Sequence, residues 1–280
     1  MLLGGSVVGA YMGEQKWAET AAAMGYAAST CPLPRHADRE EAMALMRAAG
    51  EHGVVIGEVG VWKNTLSPDD RERADNMFFA KEQLALAEYM GVACCVNIAG
   101  ARGPQWDGAY ADNYARDTYA LIVDSVREII DAVKPRRAFY TLEPMPWMHP
   151  DSPDDYLQMI KDVDRAQFAV HMDFVNMLSS PKRILYSENF IADCFKKLAP
   201  FIKSVHIKDA AMDAHAMPAQ IVECAPGQGK LNYAHILSLI DRLLPRDTPV
   251  LLEHMLTNEE YLRAMTYVKG IAGQLQIPVR

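Results

Sequence analysis

The chain has 280 residues, 50% of them hydrophobic, and a formal charge of −8 from 28 Lys and Arg against 36 Asp and Glu. Such a length can bury a large core in one α/β unit, and the acidic balance argues against a surface that grips a nucleic-acid backbone, which needs clustered Lys and Arg. Five cysteines, an odd number without CxxC spacing and with Cys94 and Cys95 adjacent in an apolar run, read as reduced, buried thiols rather than a disulfide framework.

No basic n-region of a signal peptide opens the chain, and no apolar run approaches the about 20 residues of a spanning helix. A soluble, cytoplasmic protein without a membrane partner is therefore expected. Apolar runs at 5–11, 26–30, 54–61, 92–99, 138–144, 168–174, 202–208 and 249–254 read as strands. Amphipathic stretches at 14–24, 38–52, 68–90, 112–134, 153–163, 187–199, 232–243 and 258–274 read as the helices between them. The near-continuous apolar character of the strands is that of parallel strands buried on both faces. Eight strand–helix pairs in this length predict an α/β protein: a (β/α)8 TIM barrel, as a single domain over residues 1–280.

The punctuation agrees. Ser67-Pro68 before two Asp residues, and Ser152-Pro153-Asp154-Asp155, read as helix starts with acids in the first turn. Gly25, Gly53 and Gly91 sit just past helical patterns, where a left-handed residue is common. A doubly wound open sheet is the competing fold, but no GxGxxG or GxxxxGK[ST] follows the first strand. The glycines of LLGGSVVG come before or within that strand, where they cannot cradle a phosphate.

Four strand ends in the second half carry residues that bind hard or borderline cations: Glu143 in FYTLEPM, Asp173 in FAVHMDF, His206 in KSVHIKDA and Glu253 in PVLLEHM. Singly, each has an ordinary reading as a cap, a rim charge or a satisfied interior polar group. Together they differ, because a parallel barrel delivers all its strand C-termini to one face. Three carboxylates converging in apolar surroundings repel one another and lose hydration unless a cation compensates. The expectation is one divalent metal ion, Mn²⁺ foremost, with Mg²⁺, Co²⁺ or Zn²⁺ as alternatives.

Glu143, Asp173, His206 within HIKDA, PGQG at 226–229 and Glu253 within LLEH together resemble the xylose isomerase-like TIM-barrel superfamily, most strongly over residues 84–256. That group holds sugar isomerases, ketose 3-epimerases, inosose isomerases and dehydratases and, more distantly, endonuclease IV-type enzymes. The resemblance implies that the matching Glu, Asp, His and Glu bind one metal and that Glu143 and Glu253 also move protons, as acid and base. The activity so implied is a metal-dependent sugar or polyol isomerase or epimerase working through a cis-enediolate. A lyase of the same group is the alternative, by dehydration of an inosose or keto-sugar or by cleavage of an oxidised sugar conjugate. An endonuclease or a non-catalytic sugar-binding barrel ranks behind both.

Departures from relatives bear on the substrate. Asn176 stands where ketose 3-epimerases commonly place a substrate-contacting His, and Met212 where an Arg usually follows the strand-seven His. The endonuclease group needs further His ligands, but the ends of strands two and three offer Ser29, Thr30, Glu58 and Val59; Asp213 and His215 echo that group only faintly. Gln228 replaces a Glu that relatives often carry in this turn.

Substrate contacts are expected from Trp147 and His149 beyond strand five, and from His171, two before Asp173 and on its face. Asn176, Lys208, Glu58, Trp62 and Asn97 complete the candidate substrate-binding set. Asp209 reads as a turn cap, and Glu223 as either a pocket acid or a solvated loop acid. A small sugar or polyol, without phosphate, is the expected partner; a homo-oligomer is compatible with the sequence, and a nucleic-acid partner is not expected.

Overall fold

A computed structural model gives the fold and describes residues 1–213 and 215–280. Seven strands come first: β1 (Leu2–Gly5), β2 (Ala28–Thr30), β3 (Val55–Gly60), β4 (Cys94–Asn97), β5 (Phe139–Leu142), β6 (Phe168–Met172) and β7 (Ile202–Ile207). An antiparallel hairpin, β8 (Asp209–Met212) and β9 (Ile221–Cys224), leads to the last barrel strand, β10 (Pro249–Leu252). The eight parallel strands close in the order β1-β10-β7-β6-β5-β4-β3-β2, so the fold is a single-domain TIM barrel.

Helices alternate with the strands: α1 (Glu14–Ala23), α2 (Arg39–Glu51), α3 (Asp70–Met90), α4 (Arg116–Val133), α5 (Pro153–Val163), α6 (Pro181–Leu185), α7 (Ser187–Leu198), α8 (Tyr233–Leu243) and α9 (Asn258–Gln274). Their starts follow the side chains. Asp38 and Thr257 form capping boxes with Glu41 and Glu260, and Ser152 caps α5 ahead of Pro153. Gly25, Gly53 and Gly91 all take left-handed backbone conformations after their helices, as expected. None of the described helices is long and apolar enough to cross a membrane.

Four expectations need correction. The first strand is Leu2–Gly5, not 5–11. Its glycines are required by close approach: a Cβ on Gly4 would lie 1.6 Å from the Ala28 carbonyl oxygen, and one on Gly5 2.9 Å from the Tyr261 ring. The apolar residues after them, including Val7 and Val8, line the barrel mouth instead of extending the strand. The helix placed at 68–90 begins at Asp70, because Asp69 accepts from the Arg71 and Glu72 amides and so caps it.

The helix placed at 112–134 is split into a 3₁₀ turn, Ala111–Tyr114, and α4. The cause is Asn113, whose Oδ1 accepts from the Arg102 amide and whose Nδ2 donates to the Gly108 and Trp147 carbonyls. The β8–β9 hairpin and α6 have no counterpart among the predicted elements. Both are short, and they lie in the loops that follow β7 and β6.

Candidate metal centre

Each of the four strand-end residues sits where its strand reaches the mouth. Glu143 follows β5, Asp173 follows β6, His206 lies in β7, and Glu253 follows β10. One ligand atom from each of the four lies within 4.8 Å of the others, and all four side chains are buried. His206 Nδ1 is 2.8 Å from Glu253 Oε2 and 3.8 Å from Glu143 Oε1, yet Nδ1 has no partner in hydrogen-bonding geometry. Its other ring nitrogen, Nε2, is 3.1 Å from Glu58 Oε1.

Asp173 is oriented by its own loop, Oδ1 accepting from the Val175 and Asn176 amides at 2.9 and 3.0 Å. Its Oδ2 lies 2.7 Å from Lys208 Nζ. Lys208 also pairs with Glu253 and, at 3.1 Å, with Glu223. It is the one buried Lys or Arg among the described residues, in a centre that holds four buried carboxylates: Glu58, Glu143, Asp173 and Glu253. The centre therefore carries excess negative charge in a desolvated place, which a divalent cation would offset. Three carboxylates, an imidazole and an Nδ1 without a hydrogen bond make a donor set that fits such an ion.

The electrostatics bear the same mark. Burial pushes the Asp173 carboxyl well above the usual carboxylate range; Lys208 pulls it down, but the charges of Glu253 and Glu143 reinforce the rise. Burial alone would lower His206, but the carboxylates of Glu253 and Glu58 hold it well above its ordinary value. Burial opposes ionisation of Glu253 too, and is outweighed by His206 and Lys208, which hold it well below the usual range. For Glu143, burial and the Glu253 charge are outweighed by the neighbouring His206, with a smaller pull from His171, which hold it below the usual range. Burial also leaves His171 lowered to about 4.

The remaining expected substrate contacts divide into two groups. Trp62, Trp147, Asn176 and Glu58 line a cavity of about 1210 Å³ whose floor includes Glu143, His206 and Glu253. Asn176 donates from Nδ2 to Glu143 Oε1 at 2.9 Å, so it orients that carboxylate. Glu58 is 2% exposed, and its two oxygens are engaged by His206 and Ser204.

The others lie off the cavity wall. Lys208 stands beneath it, within the acids. His171 is fully buried with its ring edge-on to that of His206 at 4.1 Å. His149 Nδ1 is 2.7 Å from Asp155, and its ring is wedged between Tyr114 and Tyr119. Asn97 is spent on the loop above β3, accepting from the Lys63 amide and donating to the Lys63 carbonyl and the Tyr140 hydroxyl. Asp209 does cap a turn: its carboxylate accepts from the amides of Gly227, Gly229 and Leu231 and thereby holds PGQG in place.

Two participants, His254 and Trp106, were not among the expected site residues, and Glu223, left open between a pocket acid and a solvated loop acid, lines the pocket. Glu223 reaches the cavity from β9 and binds both Lys208 and His254. His254 and Trp106 also line the wall. Nothing in the local pattern distinguishes Trp106 from a packed loop aromatic.

The family model described as xylose isomerase-like TIM barrel matches residues 18–269. Among solved structures, the fold is similar to a xylose isomerase-like TIM barrel protein from Mycobacterium smegmatis in complex with magnesium, at 16% identity over 92% of this chain and 88% of that one, with a TM-score of 0.66. It is similar to the 3-keto-D-glucoside 4-epimerase YcjR from E. coli, at 15% identity over 96% and 99% of the two chains, TM-score 0.69. It is also similar to endonuclease IV from Thermus thermophilus, at 15% identity over 98% and 100%, TM-score 0.72. No curated protein matches at the sequence level. With nine-tenths of its length spanned by that model and an eight-stranded closed barrel beneath it, the chain belongs to the xylose isomerase-like TIM-barrel family.

Proposed function

We propose that the protein is a divalent-metal-dependent isomerase or epimerase acting on a sugar or polyol. The observation that carries this reading is the convergence of Glu143, Asp173, His206 and Glu253, four buried donors from successive barrel strands, within 4.8 Å. A bound divalent cation would acidify the C–H between a substrate carbonyl and its neighbouring hydroxyl and stabilise the enediolate. The protein's own part is proton transfer and orientation. Glu253, held ionised by His206 and Lys208, is the base-competent carboxylate. Glu143, oriented by Asn176, is its counterpart. Return of the proton to the opposite face of the same carbon epimerises, and return to the adjacent carbon isomerises.

The described cavity lining holds no Lys or Arg, which supports an unphosphorylated substrate. The endonuclease alternative gains nothing beyond the fold, since Ser29 is spent on the Gly5 carbonyl and Asp213 and His215 stand off the cavity wall. The lyase alternative draws support from the cavity itself. At about 1210 Å³, with Trp62, Trp106, Trp147 and Met145 in its wall, it exceeds the need of a free monosaccharide and suits a sugar conjugated to an apolar group.

Metal analysis of the purified protein, followed by incubation with ketoses, polyols and keto-sugar glycosides in D₂O, decides between the readings. Deuterium incorporation with changed configuration supports the epimerase or isomerase. A dehydrated or cleaved product moves the assignment to lyase. A protein that takes up no divalent cation defeats both.

A further inference from the structure

Beside His206, on its Nε2 edge, stands a buried carboxylate at the cavity floor that the proposed chemistry does not use. Glu58 lies in β3, across the barrel from β7, and is 2% exposed. Its Oε1 is 3.1 Å from His206 Nε2, and its Oε2 accepts from Ser204 Oγ at 3.0 Å. Ser204 and His206 are two apart on one strand, so both point inward to the same carboxylate. The His171 ring packs edge-on against His206, its Nδ1 3.5 Å from Glu58 Oε2. His206 is thus gripped on its Nε2 side and free of hydrogen bonds only at Nδ1, which looks toward Glu143 and Glu253.

We infer that Glu58, itself held by Ser204, is a positioning residue that fixes His206 in its Nε2–H tautomer and so dedicates Nδ1 to a divalent cation. A carboxylate accepts and cannot donate, so an Nε2 lone pair facing Glu58 would be repelled, whereas an Nε2–H is bound. With the charges of Glu143 and Glu253 taken up by a cation, the one proton of a neutral imidazole is thereby placed on Nε2, toward Glu58, and the lone pair on Nδ1, toward those two acids. A carboxylate behind a ligating imidazole also raises its basicity and fixes the ring plane. Glu58, expected as a substrate contact, thereby acts through His206, with both of its oxygens already engaged by His206 and Ser204. Ser204, which nothing in the sequence singled out, becomes its anchor. This inference rests on the proposed metal site.

The test is binding, not turnover. Wild type, E58Q and S204A are stripped of metal and titrated with Co²⁺ by calorimetry and by chelator competition, with the visible Co²⁺ spectrum and the metal-free Tm recorded in parallel. E58Q is expected to weaken Co²⁺ affinity about 10–100-fold, the usual cost of losing such a partner, with a changed spectrum. S204A is expected to weaken it severalfold. A purely structural Glu58 would instead lower the metal-free Tm and leave affinity and spectrum unchanged, and that result overturns the inference while leaving the metal site standing. Should E58Q fail to fold, S204A decides: wild-type affinity in that variant overturns the inference. If the wild type itself binds neither Co²⁺ nor Mn²⁺, Mg²⁺ or Zn²⁺, the functional reading falls and this inference falls with it.

Discussion

The two halves of the barrel build the same mouth by different means. From β5 onward, each barrel strand delivers a carboxylate or imidazole to the centre: Glu143, Asp173, His206 and Glu253. In the first half, β1 ends in Gly5 and β2 in Thr30, while Asn97 at the end of β4 is consumed by a loop. Glu58 is the first half's one carboxylate in the centre, and it stands beside His206 rather than among the four donors. The second half thus concentrates the charge, and the first half supplies the wall and the support. Mutations in the two halves should fail differently: second-half changes in chemistry and charge balance, first-half changes in positioning and substrate fit.

The largest expected effects lie in the second half. E143Q and E253Q each keep side-chain shape but remove an ionisable group, and each is expected to cut deuterium incorporation about 10²–10⁴-fold. Metal content should drop as well, since each variant loses an anionic donor. Metal content and turnover both at wild-type levels in the two variants would end the proposed mechanism.

Lys208→Met comes next. It removes the cation between Asp173, Glu253 and Glu223 and leaves buried carboxylates uncompensated. Breaking one side of a buried ion pair costs about 3–5 kcal/mol, so the metal-free variant should unfold at markedly lower denaturant. Divalent cation should restore more stability to this variant than to wild type, because it supplies the missing charge. Equal stabilisation of both would mean that Lys208 and the cation do not share the same acids.

A pH series probes the same charge balance more gently. His206 is raised above its ordinary 6.5, so in the metal-free protein its contribution is complete below that value and is lost as pH rises through the raised one. Glu253 is lowered below its ordinary 4.5, so its contribution is present above that value and is lost as pH falls through the lowered one. From these two groups the metal-free protein should be most stable between 4.5 and 6.5. Metal must displace the proton of His206 and that of the raised Asp173, so affinity should climb with pH. Calorimetry in buffers of different ionisation enthalpy reads the protons released; none released between pH 6 and 8 would contradict this assignment.

These expectations reach beyond what the sequence alone discloses, and the reason is physical. Strand periodicity and helix caps are local, so the eight repeats and the two exact helices, α5 and α9, could be read from consecutive residues. The convergence of Glu143, Asp173, His206 and Glu253 was legible because each lies at the end of an apolar run and because a barrel brings such ends together. The contacts of Glu58, Ser204 and Asn97 were not legible, since they involve partners far away in the chain: 148 residues separate Glu58 from His206. Likewise, Gly4 and Gly5 were readable as unusual, but the Ala28 carbonyl and Tyr261 ring that require them belong to other elements.

The smallest expected effect belongs to the first-half wall and turns on Trp62. Its backbone has φ of 50°, a left-handed conformation that a bulky side chain adopts at a cost. Both neighbours impose it: the Val61 amide donates to the Val96 carbonyl, and Asn97 brackets Lys63 through both its amide and its carbonyl. The ring folds back over Gly60, where an added Cβ would lie 2.1 Å from the indole nitrogen, and is left 37% exposed at the cavity. A strained aromatic held at a cavity wall fits a platform for a flat, apolar substrate group. Trp62→Gly and Trp62→Ala both remove the platform, but only glycine also relieves the backbone. Both variants should raise KM for aryl-conjugated sugars about 5–30-fold, with free-sugar kinetics unchanged, corresponding to about 1–2 kcal/mol of lost contact. The glycine variant should be more stable than the alanine variant by about 1 kcal/mol. If conjugate KM stays at wild type and both variants lose stability equally, Trp62 serves the packing of its loop and the apolar group must be held elsewhere along the wall.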